Sequence, residues 1–477
     1  MPELVIVEKV EIRVTDAATR LPFKFGAVVL TAAPIVVARV SLGDGSGGVV
    51  TGHASDLAVP KWFEKDPVKT VQEDSAALIR SALAARDVLL DKDYGAQTAF
   101  HHWSRMEEAR VGDRDEGVSD VLVRGFGVAL LERALIDAVC KSVGLSFRDA
   151  LRSDALGFRP GEIHEALAQW EAPWLSDQEQ PTSIALRHTV GMLDPLVASD
   201  VEDPIQDGLP HTLEEDIEKY GLTHFKIKVG GDPVADQSRL RQIAVFLTSR
   251  GLEAAPFTLD ANEQYQDLDS LLELLQTLAS DPETARFMDG LLFVEQPLPR
   301  SETFDETQRE PLARLSAVCG VIIDEADYGV HAFRRALELG YQGVSIKNCK
   351  GVFRALINCG LADVMGEGAF QSAEDLTNTG IIPLQQNLAT LGVLNQSHVE
   401  MNGHHYFRGL DHLPDEEVRW ALSQRPGLYE AFGDGASLLV KGGRVDLTSV
   451  QGVGFGGVEA MAFETRQEAE AWLESVQ

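Results

Sequence analysis

The sequence predicts an α/β fold class, in which an α+β unit precedes a long series of alternating strands and helices. From residue 183 onward, short β-branched runs alternate with segments whose apolar residues recur at helical spacing, the pattern of a parallel sheet. Residues 4–52 instead show the alternation and turn signals of antiparallel strands, and helical segments follow at 69–90 and 126–144. We therefore expect two architectures in one chain.

The chain has an ordinary globular composition but a strongly acidic charge balance. It contains 477 residues, of which 44% are hydrophobic and 24% charged, enough for two or three domains. The formal net charge of −32 argues against a nucleic acid or an anionic membrane surface as a partner. A small-molecule substrate is the expected partner, and the acidic surface is compatible with a homo-oligomer.

The cysteines and the N-terminal sequence indicate the cellular compartment of the protein. The four cysteines form no CxxC pair and are too few for a disulfide framework in a chain of this length. The N-terminus has no basic segment ahead of an apolar one, so no signal peptide is predicted. No run approaches the roughly 18 apolar residues of a membrane span. We expect reduced thiols and a cytoplasmic protein.

The repeating region contains seven predicted strands. They lie at 184–191, 225–229, 257–260, 291–295, 321–324, 343–347 and 363–366. Their ends are roughly 30 residues apart, close to the average of an eight-unit barrel of about 250 residues. A doubly wound open sheet fits this spacing equally well, although no GxGxxG motif follows the first strand.

The flanking regions are predicted to form a second domain. Strands are expected at 5–14, 28–33 and 35–42, with a turn at 43–48. Segment 21–26 is expected to be a loop, apolar enough to cover another part of the protein. The C-terminal part contains a predicted helix at 416–423, a strand pair around 437–447, a glycine-rich turn and a last helix. We divide the chain into residues 1–152, 183–412 and 413–477, and expect the last part to pack back on the first.

Two lysines on one predicted strand need a compensating charge. In the segment HFKIKVG (224–230), period two places Lys226 and Lys228 on the same face. Adjacent ammonium groups repel each other, so opposing carboxylates or a substrate anion should lie nearby, or the pKa of one lysine should be lowered. A solvated edge strand with two exposed lysines is the alternative.

The predicted strands of the repeating region end in ionisable residues. In chain order these are Lys228, Asp260, Glu295, Asp324 and Lys347. In a barrel they would meet at one mouth, where three carboxylates repel unless a cation such as Mg²⁺ or Mn²⁺ binds them. Such an ion would acidify the α-proton of a carboxylate substrate by stabilising the enediolate, and the lysines would flank it. Any one of these carboxylates, taken alone, is as consistent with a helix cap or a surface charge.

Five motifs resemble the enolase superfamily. They are FKIKVG (225–230), LDAN (259–262), FVEQP (293–297), IDE (323–325) and SIK (345–347). The KxK strand with a second lysine at the sixth strand is similar to the muconate-lactonising subgroup, which includes o-succinylbenzoate synthases and dipeptide epimerases. The segment 131–138 resembles the helix that precedes the barrel in that family. The resemblance implies a (β/α)7β TIM-like barrel under an α+β capping domain built from the N-terminal part and the C-terminal tail.

The resemblance also implies roles for the ionisable residues. Asp260, Glu295 and Asp324 would bind Mg²⁺, with Mn²⁺ as a substitute. Lys228 and Lys347 would be the acid/base pair, and Lys226 would steer the substrate carboxylate or tune Lys228. Glu325, next to Asp324, should point away from the site because neighbouring strand residues face opposite ways.

The substrate pocket and the reaction outcome are less specified. Candidate substrate contacts are Phe23, Phe25, Asn262, Asp375 and His404, although core or rim packing explains such residues equally well. The motifs do not specify the substrate, because the barrel carries insertions at 153–182, 199–212 and 298–311. Racemisation or epimerisation, cycloisomerisation and elimination all fit. A non-catalytic barrel that binds an acidic metabolite, and a metal-dependent lyase or hydrolase, are the alternatives.

Overall fold

The N-terminal part of the chain is an antiparallel sheet packed against helices. The computed structural model describes residues 2–26, 28–43, 48–111, 118–459 and 462–476. The sheet contains β1 (Val7–Phe25), β2 (Val28–Gly43) and β3 (Val49–Leu57), with β2 between the other two. The helices are α1 (Val71–Leu89), α2 (Ala99–Val111), α3 (Val118–Ser142) and α4 (Phe147–Arg152). The predicted turn at 43–48 falls largely on residues 44–47, outside the described residues.

The segment at 21–26 is not the loop that we predicted. It forms the end of β1, where a register shift between Ala18 and Phe23 marks an irregularity in the pairing with β2. Pro22 is tolerated because such irregularities free a backbone position from the ladder. Alternation then buries Leu21, Phe23 and Phe25 on one face of the strand.

Eight parallel strands close into a barrel. They are β4 (Ser183–Val190), β5 (His224–Lys228), β6 (Phe257–Asp260), β7 (Leu291–Glu295), β8 (Gly320–Ile323), β9 (Gly343–Ile346), β10 (Phe370–Ala373) and β11 (His398–Met401). Each pairs with the next, and β11 pairs with β4, so the sheet is closed rather than doubly wound.

Helices connect the barrel strands. They are α5 (Leu213–Tyr220), α6 (Pro233–Ser249), α7 (Leu268–Ser280) with the short α8 (Ala285–Met288), α9 (Arg309–Ser316), α10 (Ala332–Leu339), α11 (Val352–Met365) and α12 (Ile382–Val393). Because one main helix lies between each pair of successive strands, the predicted (β/α)7β architecture is confirmed. Among the described residues, none of the helices is both long and apolar enough to cross a bilayer.

The seventh strand was predicted in the wrong place. Residues 363–366, taken as a strand, belong to the end of α11 and the turn after it, and the strand itself is β10. A short apolar run fits a buried helix end as well as a strand. The true strand is the more polar segment FQSA, in which Ser372 faces the barrel interior and contacts Arg187 rather than apolar side chains.

The C-terminal part returns to both halves of the molecule. It contains α13 (Gly403–Tyr406), α14 (Asp415–Gln424), β12 (Tyr429–Phe432), β13 (Gly435–Leu438), β14 (Arg444–Asp446), β15 (Gln467–Glu468) and α15 (Ala469–Ser475). The strand pair predicted around 437–447 is wrong, because β13 pairs with β12 whereas β14 pairs with β4 of the barrel. β15 pairs with β1, which joins the tail to the capping sheet. The domain boundaries themselves stay predictions.

Candidate active site

Strand register brings the predicted ionisable residues to one end of the barrel. Lys228 is the register partner of Asp260, and Asp260 is the partner of Glu295, so these three strand ends lie at one level. Asp324 and Lys347 follow directly after β8 and β9. Because parallel strands share a direction, all five side chains emerge at the carboxyl end of the barrel, and all are buried.

Lys226 occupies the centre of this group. Its Nζ lies 3.0 Å from Asp260 Oδ2, 2.7 Å from Glu295 Oε2 and 2.9 Å from Glu374 Oε2. The side chain is 1% exposed, so the alternative of an edge strand with solvated lysines is wrong. Burial alone would lower the pKa of Lys226, but the surrounding carboxylates raise that pKa well above its ordinary value. The lysine pair is therefore compensated by carboxylates, as one of our interpretations required.

Lys228 and Lys347 contact different members of the carboxylate row. Lys228 Nζ donates hydrogen bonds to Asp260 Oδ2 at 2.5 Å and to Asn262 Oδ1 at 2.9 Å. Lys347 Nζ donates to Asp324 Oδ2 at 2.9 Å and lies 3.5 Å from Glu295 Oε1. The two amines thus stand at opposite ends of the order Asp260, Glu295, Asp324.

The carboxylates form a donor set that fits a hard divalent cation. One oxygen from each of Glu295, Asp324 and Glu374 lies within 4.8 Å of the others. Burial first, and then Asp260 and Glu374, raise the pKa of Glu295 well above its ordinary value, so the ionised form of Glu295 is disfavoured without a further cation. Lys347 and Lys350 hold the pKa of the buried Asp324 below its usual range. Mg²⁺ prefers such oxygen ligands and would stabilise the ionised form of Glu295.

Glu374 is a site residue that the sequence reasoning missed. Glu374 follows β10. Because the sequence prediction put this strand at 363–366, it did not identify Glu374 as the residue at a strand end. Its Oε1 accepts hydrogen bonds from Arg187 Nη2 at 3.1 Å and from Ser372 Oγ at 2.9 Å. Its Oε2 accepts from Lys226 and Lys347, at 2.9 and 2.8 Å. The residue therefore links the lysines of two strands.

Lys350 was also missed. Its Nζ donates a 2.7 Å hydrogen bond to Ser345 Oγ and lies 3.3 Å from Asp324 Oδ1 and 3.1 Å from Asp327 Oδ2. Ser345 Oγ in turn donates to the same oxygen of Asp324. The signal in the sequence was a second lysine three positions after Lys347, on the short turn that follows β9. These contacts fix the orientation of the Asp324 carboxylate.

The carboxyl end of the barrel opens into a cavity under the capping domain. Four of the predicted substrate contacts line it, namely Phe23, Phe25, Asn262 and Asp375. The other lining residues are Val59, Trp62, Lys226, Lys228, Lys347, Leu376, Thr377, Glu400 and Asn402. The segment at 21–26 therefore does cover the barrel mouth, although as a strand end. Burial and the neighbouring Glu400 raise the pKa of Asp375 well above its ordinary value, which favours a neutral carboxyl in the cavity wall.

An aromatic ring of the capping domain lies near each terminal lysine. The Phe23 ring centre is 6.0 Å from Lys228 Nζ, and the Trp62 ring centre is 5.6 Å from Lys347 Nζ. Trp62 is anchored to the barrel by Arg300, whose Nη2 donates to the Trp62 carbonyl at 2.8 Å. The same guanidinium pairs with Glu263 Oε2 at 2.8 Å. Arg300, near the start of the insertion at 298–311, thus holds the cap over the cavity.

Two sequence predictions fail at this site. His404 does not line the cavity, because β11 ends at Met401 and the helical turn α13 carries His404 to the outside of β4, where its Nε2 lies 3.1 Å from His188 Nδ1.

Glu325 does not point away from the site. β8 ends at Ile323, so strand alternation no longer applies two residues later. Glu325 Oε1 instead accepts a 3.2 Å hydrogen bond from Asn262 Nδ2, and Lys65 Nζ of the capping domain lies 3.5 Å from the same oxygen. Glu325 therefore supports Asn262, which holds Lys228.

The barrel matches the model of a known protein family. Residues 209–428, which cover the barrel from α5 to β11 and α14 beyond it, match the model of the family described as enolase C-terminal domain-like. The predicted motifs at 225–230, 259–262, 293–297, 323–325 and 345–347 all fall inside the matched segment. A search of curated proteins returned no match to the chain.

Solved structures share the whole architecture at low sequence identity. A dipeptide epimerase from Enterococcus faecalis V583, complexed with Mg and the dipeptide L-Leu-L-Tyr, has a TM-score of 0.62 and 14% identity over 94% of this chain and 99% of that chain. A muconate lactonizing enzyme from Pseudomonas fluorescens, complexed with muconolactone, has a TM-score of 0.59 and 15% identity over 95% and 96%. An enolase from Bradyrhizobium, complexed with magnesium and mandelic acid, has a TM-score of 0.60 and 18% identity over 96% of both chains. At these identities the likeness shows the fold.

Proposed function

We propose that this chain, whose barrel matches the enolase C-terminal domain-like family, is a divalent-metal-dependent enzyme of the enolase superfamily that removes the α-proton of a small carboxylate substrate. Asp260, Glu295 and Asp324 would hold Mg²⁺ or Mn²⁺. The ion would neutralise charge on the substrate carboxylate and on the carbanion-like state that follows proton loss. The similar structures include an epimerase, a lactonizing enzyme and a complex with magnesium and mandelic acid, in keeping with this chemistry.

The proton transfer is assigned to the chain's own lysines. Lys228 and Lys347 both border the cavity and stand at opposite ends of the carboxylate row. An amine at each end can take a proton from one face of a bound substrate and return a proton to the other face. This placement is the observation that supports the proposal most strongly, because binding alone needs no base on either face.

Lys226 is proposed to act through its neighbours. It shares Asp260 Oδ2 with Lys228, at 3.0 and 2.5 Å, so the charge on Lys226 competes for the carboxylate that stabilises protonated Lys228. It also borders the cavity, where it can attract the substrate carboxylate. Phe23, Phe25, Asn262 and Asp375 would contact the rest of the substrate. The outcome would be racemisation or epimerisation, cycloisomerisation, or elimination, depending on what leaves or adds at the neighbouring carbon.

The test is a screen of carboxylic acids in D₂O with Mg²⁺, in which NMR reports exchange at the α-carbon. For a substrate found in this way, we expect Lys228→Ala and Lys347→Ala each to slow exchange from one face of the substrate by about 10²–10⁴-fold, the usual contribution of a general acid or base. Lys92→Ala, which removes an exposed lysine of the capping domain, is the matched control and should leave exchange unchanged.

The competing functions give different results in the same experiment. A barrel that only binds an acidic metabolite would show ligand binding without α-exchange, and a direct hydrolase would consume its substrate without deuterium at the α-carbon. Full exchange in both lysine variants would overturn the assignment of the acid/base pair.

A further inference from the structure

A second cluster of metal-ligating side chains lies outside the barrel lumen. Along β4, Arg187 contacts Glu374 and Thr189 donates a 2.5 Å hydrogen bond to Glu400 Oε1, so both side chains point into the barrel. His188 lies between them and therefore points to the opposite side of the sheet, towards the helices. This cluster is separate from the carboxylates of the candidate active site.

His188 meets residues from two helices. One ligand atom from each of His188, Asp216 and His404 lies within 4.8 Å of the other two. His188 Nδ1 is 3.1 Å from His404 Nε2, and His188 Nε2 is 3.6 Å from Asp216 Oδ2. Two ligands of a tetrahedral Zn²⁺, with bonds of about 2.0–2.1 Å, stand about 3.3 Å apart. One imidazole offers an ion only one nitrogen, so of these two contacts only the 3.6 Å separation between His188 Nε2 and Asp216 Oδ2 applies to a shared ion, and it is close to this spacing. His404 would complete the set from within 4.8 Å.

The cluster is buried and its polar atoms are incompletely satisfied. Asp216 is 0% exposed, and neither of its carboxylate oxygens has a hydrogen-bond partner among the described residues. In the same part of the chain, His404 Nδ1 also lacks a partner. His405 Nδ1 stands 2.9 Å from Asp216 Oδ2, an ion-pair distance, so Oδ1 is the oxygen of Asp216 that is left without any partner there. A buried carboxylate in this state is costly unless a cation compensates it.

We propose that His188, Asp216 and His404 bind a transition-metal ion, with Zn²⁺ as the best match, and that His405 orients Asp216. Two imidazoles and one carboxylate are the ligands that Zn²⁺ takes in proteins, whereas Mg²⁺ prefers oxygen ligands throughout. A ligand to the metal is typically held by a further polar group, which is the position of His405.

The ion would join the first and last strands of the barrel. His188 lies on β4, Asp216 on the helix that follows it, and His404 on α13 directly after β11, and β4 and β11 are the strands whose pairing closes the barrel. α13 also carries Tyr406, whose ring stacks on Phe23 of the cavity wall with centres 4.2 Å apart. The proposed role is therefore structural, with an indirect effect on the cap.

The experiment uses the full chain saturated with Mg²⁺ and probed with Zn²⁺ and Co²⁺. We expect the wild type to retain about one equivalent of Zn²⁺ after dialysis and to give the visible absorption of Co²⁺ bound by nitrogen and oxygen ligands. Both signals should persist in Asp324→Asn, which alters the barrel carboxylates. Asp216→Asn should bind at least tenfold more weakly, since even loss of a supporting group costs that much.

His53→Gln is the matched control, because it removes a buried histidine of the capping sheet and should leave both signals unchanged. If Asp216→Asn does not fold, as judged by circular dichroism, the wild-type stoichiometry and Co²⁺ spectrum still decide the matter. Absence of both signals in the wild type would overturn the proposal, leaving a histidine pair and a His405–Asp216 ion pair without metal. Equal Zn²⁺ retention in folded Asp216→Asn would also overturn it.

Discussion

Lys347 Nζ donates a 2.8 Å hydrogen bond to Glu374 Oε2. The other oxygen of Glu374 is held by Arg187 at 3.1 Å, a buried pair in which both side chains are 0% exposed. Glu374 is thus already neutralised by a cation of the chain. Asp260 contacts the two lysines of β5 and the backbone N–H of Asn262, at 2.9 Å. Both carboxylates are thus paired with cations of the chain, and they differ in the roles that we propose, with Asp260 holding the ion and Glu374 positioning Lys347.

This difference predicts unequal metal affinities for two isosteric variants. We expect Glu374→Gln to weaken Mn²⁺ binding by about 10–100-fold, the usual cost of losing a supporting group, and Asp260→Asn to weaken it by more than about 100-fold, because a ligand is lost. Glu374→Gln should nevertheless slow α-exchange, since Lys347 loses a hydrogen bond. Binding is measured by the decrease of the free Mn²⁺ EPR signal, and chelation with EDTA should abolish exchange in the wild type. A greater loss of Mn²⁺ affinity in Glu374→Gln would make Glu374 the ligand instead.

Arg300 and Glu263 form a buried ion pair next to the cap, and removing Arg300 should lower the stability of the protein substantially. Arg300 binds Glu263 and donates to the carbonyls of Trp62 and Phe63, at 2.8 and 2.7 Å. Removing one partner of a buried pair costs about 3–5 kcal/mol, and the lower end applies here because Lys65 still pairs with Glu263. Arg300→Ala should therefore lower the free energy of unfolding by about 3 kcal/mol, as measured in urea, and raise KM by loosening Trp62.

A surface arginine in the same insertion provides the control for this prediction. Arg309 pairs with Glu306, but its side chain is 53% exposed, and exposed pairs contribute at most about 1 kcal/mol. Arg309→Ala should leave both stability and KM nearly unchanged. Equal effects of the two substitutions would mean that Arg300 does not anchor the cap.

The barrel and its row of ionisable residues could be predicted from sequence because the signals are local. A strand alternates with period two, and the strand ends recur at the spacing of a βα unit, so the amino-acid order alone places Asp260 and Glu295 at strand ends. Lys226 and Lys228 were placed on one face by the same argument. The structure has the same arrangement, with Lys228 in register with Asp260.

The residues that sequence reasoning missed depend on long-range contacts or on weak local signals. Glu374 follows a strand too polar to be recognised, since its Ser372 faces Arg187 rather than apolar neighbours. Arg300 contacts a carbonyl more than 200 positions away, at Trp62, and no local pattern encodes such a contact. His404 was predicted to contact the substrate, because the four-residue helical turn that carries it away from the cavity leaves no periodicity to detect.

A buried histidine in the capping sheet predicts loss of stability in mild acid. Burial, and then Lys141, Arg39 and Arg466, lower the pKa of His53 from 6.5 to about 3. Below pH 6.5 the unfolded chain therefore binds a proton at this residue that the folded chain does not, and stability falls by about 1.4 kcal/mol per pH unit. From pH 7 to pH 5, His53 alone should contribute a loss of about 2 kcal/mol.

His53→Gln removes the titrating group and should lose about 2 kcal/mol less than the wild type over this pH range. Urea unfolding at pH 7 and pH 5 measures both losses. If the wild type and the variant lose the same free energy, His53 is not the group that couples folding to protonation.

Gly52 sets the distance between β3 and α3 in the capping domain. A Cβ at this position would lie 2.1 Å from the backbone N of Ala138 and 2.2 Å from the carbonyl oxygen of Ala134, which no side-chain rotation can relieve. Gly52→Ala must therefore displace the helix or the strand, and we expect it to lower the free energy of unfolding by about 3 kcal/mol. Gly452→Ala is the control, because no atom of the residues that the structure describes lies within 4 Å of its added Cβ, and it should change stability by less than about 0.5 kcal/mol. Because α3 packs against the strands of the capping sheet, Gly52→Ala should also weaken substrate binding. Unchanged stability in Gly52→Ala would contradict the close contact between β3 and α3.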